Sequence, residues 1–203
     1  GPAPLWVTST TTPDSAPNAA FIDDPAVVSD KRLDTPNIAI TSPTAQISFR
    51  NNFALEPIAG GASFFDGGVL EVSSPNIAGG AFTDITNAAV GGSFVTGGYT
   101  GTISTAFMSP IAGRMAWSQS SGGYINTVAN LGPNVNGQTI KLRFRMGSDS
   151  SVTGTGWRVD TIVVSGGCGP TPTPGGTPTP TPGVTPTPTP GASCPPTITH
   201  SSS

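Results

Sequence analysis

Apolar residues in this chain recur at every second position, and no stretch shows the three-to-four spacing of a helix. The clearest case is residues 139–146, where Ile140, Leu142, Phe144 and Met146 alternate with Lys141, Arg143 and Arg145. Side chains of a strand point alternately to opposite faces, so this segment predicts a strand with one face in a core and the other in water. Ile38 and Ile40, Ile47 and Phe49, and residues 68–72 give further short runs, and residues 157–164 give the last. Residues 147–156 are turn-rich and long enough to form a functional loop. Many short strands joined by Gly, Ser, Thr and Asn, without helices, imply an all-β antiparallel sandwich. Trp117 and Trp157 lie in strand-like blocks and are expected in its core, whereas Tyr124 follows a Ser-Ser-Gly-Gly turn that favours exposure.

The ends of the chain break this pattern. Residues 1–35 carry Pro2, Pro4, Pro13 and Pro17 around Trp6 and Phe21, and are expected to form an extended arm with the first strands. Trp6 or Phe21 anchors the arm on its own sandwich or on a neighbouring copy. Residues 36–167 are the sandwich. Residues 168–194 are a Thr-Pro tract, which cannot enter a sheet interior and defaults to an extended polyproline conformation, making it a linker. Residues 195–203 read as the start of a following strand or domain. Every Lys, Arg, Asp and Glu lies at or before Asp160.

Composition narrows the function. Only 9% of the residues are charged, net charge is −3, and Gly (27) and Pro (22) are abundant. Nucleic-acid binding needs clustered cations, and the one local group, Lys141, Arg143 and Arg145, is expected to be an ordinary outer strand face. No apolar run approaches the ~20 residues of a membrane span. The sole histidine, His200, lies in the tail, and there is no HExxH, so triad and zinc chemistry lack their parts and the chain is expected not to be an enzyme. The sparse acids either cap turns and pair with Arg50, Arg114 and Arg158, or ligate calcium through Asp-Gly and Ser-Asp-Ser turns that supply several oxygens at once; nothing in their spacing specifies a glycosidase pair.

Seven blocks occur in order: 49–56 (FRNNFALE), 65–73 (FDGGVLEVS), 99–101 (YTG), 113–117 (GRMAW), 142–145 (LRFR), 148–149 (SD) and 156–160 (GWRVD). Together they resemble the MAM-like jelly-roll domains of bacterial secreted proteins, which accompany extracellular proteases of the immune-inhibitor-A type and Thr-Pro-linked surface proteins. The resemblance spans about residues 20–165. It implies an antiparallel jelly-roll β-sandwich, an accessory role and a bound calcium, for which the matching blocks offer Glu56, Asp66, Asp149 and Asp160. Relatives carry a second acid after the last of these, where this chain has Thr161.

The tail adds two chemistries. Thr171, Thr173, Thr177, Thr179, Thr181, Thr185, Thr187 and Thr189 stand in the Thr-Pro context of O-glycosylated stalks, the alternative being an unmodified spacer. Cys168 and Cys194, the only cysteines, either close one loop with each other or pair beyond each end, and both arrangements belong in an oxidising compartment. The chain is therefore expected to be a secreted, non-catalytic structural or adhesion module of the cell surface. Its expected partners are copies of itself, neighbouring domains of the same polypeptide or glycans, as in a repeating subunit of an extracellular fibre with strand or tail exchange. The competing expectation is a carbohydrate- or substrate-binding accessory domain of a larger exported hydrolase.

Overall fold

A computed structural model describes residues 5–56 and 63–168. The described residues are all-β, with fourteen strands and two single 3-10 turns at Ala78–Gly80 and Pro133–Val135. Two antiparallel sheets carry the fold. The first has the order β1 (Val7–Ser9), β2 (Ala19–Ile22), β13 (Gly156–Ser165), β5 (Gln46–Ala54), β11 (Ile125–Asn130), β8 (Ser93–Thr96). The second has the order β14 (Gly167–Cys168), β4 (Ile38–Ile40), β12 (Thr139–Ser148), β6 (Gly67–Ser73), β7 (Thr83–Asp84), and β3 (Ser29–Asp34) also pairs with β12.

Strand β12 keeps the alternation expected of it: Ile140, Leu142, Phe144 and Met146 are buried. One edge of β12 meets β6 over residues 141–147, while the other meets β3 over 143–148 and then β4 over 139–140. The chain breaks between β3 and β4 at Pro36, which has no N–H to give a ladder. Thr35 bridges the gap, donating its N–H to Leu142 O at 2.9 Å and accepting the Leu142 N–H on Oγ1 at 3.0 Å. Facing this sheet, β5 and β13 supply Ile47, Phe49, Phe53, Trp157, Val159 and Val164 to the common core. Trp117 and Trp157, both fully buried, lie 5.6 Å apart by ring centroid, and Phe144 and Phe49 pack around them. The Trp157 indole N–H donates to Asn51 Oδ1 at 2.7 Å, so the one Asn buried at the centre of β5 satisfies a donor that the core would otherwise strand. Gly68 is required next to this ring, because a Cβ there would stand 2.7 Å from the indole.

The outer face of the second sheet is not bare. Strand β6 is buried on both faces from Gly67 to Val72, because the segment carrying β9 (Gly101–Thr102) and β10 (Met115–Ala116) folds across it. Val69, Ile103, Ile111 and Ala116 form a small second core there. Of the three β12 cations expected in water, only Lys141 is exposed. Arg143 binds Asp34 at 2.6 Å and Arg145 binds Asp30 at 2.8 Å, both half-buried. The amino-terminal segment lies on its own sandwich: the Trp6 ring meets Trp157 edge-on at 5.2 Å, and Arg158 stacks on Phe21 at 4.3 Å.

Candidate metal centre

Four acids meet where β2, β5 and β12 run out and β6 begins. The pairings Gly156 with Ala54, Trp157 with Ile22 and Gly147 with Gly67 bring these strand ends together. Glu56 follows β5, Asp66 precedes β6, Asp149 follows β12, and each offers a carboxylate oxygen within 4.8 Å of the other two. Asp24, two residues past β2, lies against Asp66. All four side chains are buried, Asp66 completely.

Local hydrogen bonds fix the orientation of each group. Asp66 Oδ1 accepts the Asp149 N–H at 2.6 Å, and Ser118 Oγ donates to the Asp66 carbonyl at 2.5 Å. Asp149 Oδ1 accepts the Ser151 N–H at 2.8 Å, an Asx turn that holds its carboxylate at the start of the 149–155 loop. Asp24 Oδ2 accepts the Gly154 N–H at 2.9 Å, tying the same loop from the other side. One oxygen on each of Asp24, Glu56 and Asp66 is buried without any donor.

The electrostatics follow from this crowding. Burial pushes the Glu56 carboxyl up to about 7, with the Asp149 and Asp24 charges adding to it. Asp66 is pushed up by burial and then by the adjacent Asp24 charge, and Asp24 is raised by burial against the hydrogen bonds it accepts. The nearest cation, Lys31, spends its ammonium on Asp23 at 2.6 Å. Four acids around three donor-less oxygens, with no paired cation among the described residues, fit a hard divalent ion that takes only oxygen ligands.

Of the residues the sequence singles out, the fold brings Glu56, Asp66 and Asp149 together and leaves Asp160 apart. Asp160 sits four residues further along β13, and its Oδ2 accepts the N–H groups of Asp14 and Ser15, each at 2.9 Å. Its Oδ1 accepts Ser15 Oγ at 2.8 Å and the Thr161 N–H at 2.6 Å. Burial would raise this carboxyl, but these donors outweigh it and hold it below the usual carboxylate range. Asp160 therefore clamps the amino-terminal segment. Asp24 takes the fourth place in the cluster; the sequence signal was the adjacent acids Asp23 and Asp24 before Pro25, in a chain with only 11 acids. Arg50 and Arg114 do pair with acids, Arg50 with Asp14 at 2.8 Å and Arg114 with Glu71 at 2.6 Å and Asp84 at 2.7 Å. Arg158 instead lies over Phe21. Tyr124 is half-buried, its hydroxyl donating to Thr12 O at 3.2 Å. Thr171, Thr173, Thr177, Thr179, Thr181, Thr185, Thr187, Thr189, Cys194 and His200 lie outside the described residues, as does any bond between Cys194 and Cys168. No helix among the described residues is long and apolar enough to cross a membrane. No protein-family model matches the chain, and no curated protein is similar to it.

Proposed function

We propose that this chain is a secreted, non-catalytic structural or adhesive module of the MAM-like jelly-roll type, whose loop end is fixed by calcium. Glu56, Asp66 and Asp149 are its carboxylate ligands, with Asp24 as the fourth acid. The observation that carries this reading is the set of donor-less buried oxygens on Asp24, Glu56 and Asp66. A hard cation would give these three oxygens a common partner in place of the protons that the metal-free site must hold. The burial of the acids supports a structural ion over a catalytic one, because a catalytic metal needs an open position for substrate.

Calcium ties together the ends of four strands that are far apart in sequence, which suits a module working where calcium is abundant and chaperones are not. Extracellular modules bind calcium with Kd of about 0.1–1 mM, matched to that setting. The Thr-Pro tract, glycosylated or bare, then serves as the connector, joining the sandwich to further copies or to neighbouring domains. Scanning calorimetry in excess calcium and in chelator tests the metal: a higher melting temperature in calcium supports the reading, and identical curves refute it. Negative-stain images of the native material test the assembly, filaments favouring a fibre subunit and isolated particles an accessory domain.

A further inference from the structure

On the outer face of the second sheet, away from the acid cluster, lies a hollow of about 420 Å³. Glu71, Phe82, Asn87, Arg114, Met115 and Arg145 are among the residues that line it. The volume is in the lower part of the ~300–1,000 Å³ range of small-molecule sites. Glu71 points outward from β6 yet its side chain is only 2% exposed. Its Oε1 accepts from Arg114 at 2.6 Å and from Arg145 at 3.3 Å, while its Oε2 is buried and has no donor.

The charges around the hollow balance. Glu71, Asp84 and Asp30 face Arg114, Arg145 and Arg32, with Arg114 to Asp84 at 2.7 Å and Arg32 to Asp30 at 2.5 Å. An added ion of either sign would meet a group already neutralised, so charge selects for a neutral ligand. What remains uncommitted is hydrogen bonding. Asn87 keeps its amide N–H groups free among the described residues, because only its Oδ1 is used, by the Ala89 N–H at 2.9 Å. Beside these polar groups stand two apolar ones: Met115 is 48% exposed, and the Phe82 ring is fixed by Arg143 stacked on it at 3.6 Å. Planar polar groups locked by ion pairs, next to a fixed ring and a thioether, match a ligand with hydroxyls on its rim and C–H groups on its face.

We propose that this hollow binds a neutral sugar residue, with Asn87 and Arg114 donating to its hydroxyls, and Phe82 and Met115 covering the C–H face. The site does not depend on the calcium centre or on self-association. The test is a backbone amide NMR titration of the calcium-loaded chain with the methyl glycosides of glucose, galactose, mannose, N-acetylglucosamine and xylose. The expected result is saturable shifts confined to residues 82–87 and 114–115 with at least one of them. Asn87→Asp keeps the acceptor for Ala89 and removes the donor, and is expected to weaken binding roughly 3–10-fold at unchanged melting temperature. Dextran and an O-mannosylated Thr-Pro peptide, added in further arms, distinguish a free polysaccharide from a protein-borne glycan. No saturable shift with any of the five glycosides, shifts with glucuronic acid alone, or full affinity in Asn87→Asp would overturn the proposal.

Discussion

Asp66→Asn separates a metal centre from an ordinary buried polar cluster. In the native chain Asp66 is fully buried and carries two unlike oxygens: Oδ1 accepts the Asp149 N–H at 2.6 Å, and Oδ2 has no donor. Asparagine keeps the first bond and places an amide N–H2 where the second oxygen stood, against Asp24. Without metal, the native chain must hold a proton there, as burial and the Asp24 charge dictate, so the amide copies what the metal-free site already contains. The chelated variant should therefore melt within a few degrees of the chelated native protein. Calcium at ten to a hundred times its Kd should stabilise the native chain by about 1.4–2.7 kcal/mol. At about 2–4 °C per kcal/mol for a domain of this size, that is a rise of roughly 3–10 °C. In Asp66→Asn the new amide supplies neither the charge nor the second oxygen, and that rise should vanish. Scanning calorimetry at pH 7.5 gives all four values. A variant that melts far below the native protein in chelator, or that still gains from calcium, would refute the reasoning.

Other perturbations have equally definite outcomes. Asn51→Leu strands the Trp157 indole N–H in the core and should cost about 1–3 kcal/mol, a fall of roughly 2–12 °C by calorimetry. Gly68→Ala drives a methyl to 2.7 Å from the Trp157 ring and should lose about 1–3 kcal/mol, seen as a lower urea midpoint at unchanged slope. Asp160→Ala frees the amino-terminal segment from three hydrogen bonds; proteinase K should then cut within residues 5–18 faster, with calcium affinity by calorimetric titration unchanged. In chelator, Glu56 keeps its proton up to about 7 when folded but releases it near 4.5 when unfolded, so its contribution to stability is fully present below pH 4.5 and is lost as pH rises through 7. Asp66 and Asp24 act in the same direction, while Asp160, lowered, is ionised in both states above pH 5 and adds no slope there. Melting temperatures in chelator should thus be higher at pH 5 than at pH 8, and the calcium increment should grow over the same interval.

How far the sequence could see depended on whether an interaction was local. Alternation in β12 is a property of eight consecutive residues, and it assigns Ile140, Leu142, Phe144 and Met146 to the core correctly. The fate of the opposite face was not local. Arg143 and Arg145 are half-buried because Asp30 and Asp34 arrive from β3, more than a hundred residues earlier. The same division runs through the acid cluster. Glu56, Asp66 and Asp149 each sit at a strand end inside a recognisable block, so their convergence was readable once strand ends were known to gather. Asp24 stood in a segment that reads as an arm, and only the pairing of Ile22 with Trp157 carries it to that end of the sandwich.

Asp160 shows the converse error, and its cause is instructive about the whole fold. Its block suggested a ligand, but along a strand rising ~3.3 Å per residue, four residues beyond Gly156 is roughly 13 Å, too far to share an ion with a carboxylate at the strand end. The strand is interrupted there as well: the pairing of β13 with β5 shifts between Asp160 and Val163, and Thr161 has φ of 47°. That irregularity frees Asp160 from pure sheet geometry and lets its carboxylate gather the N–H groups of Asp14, Ser15 and Thr161. A chain with 11 acids gathers four at one end of the sandwich and uses a fifth to close its own amino-terminal segment. Both uses rest on the same physics, a buried carboxylate seeking donors; what separates them is whether the backbone supplies those donors or leaves the oxygens bare.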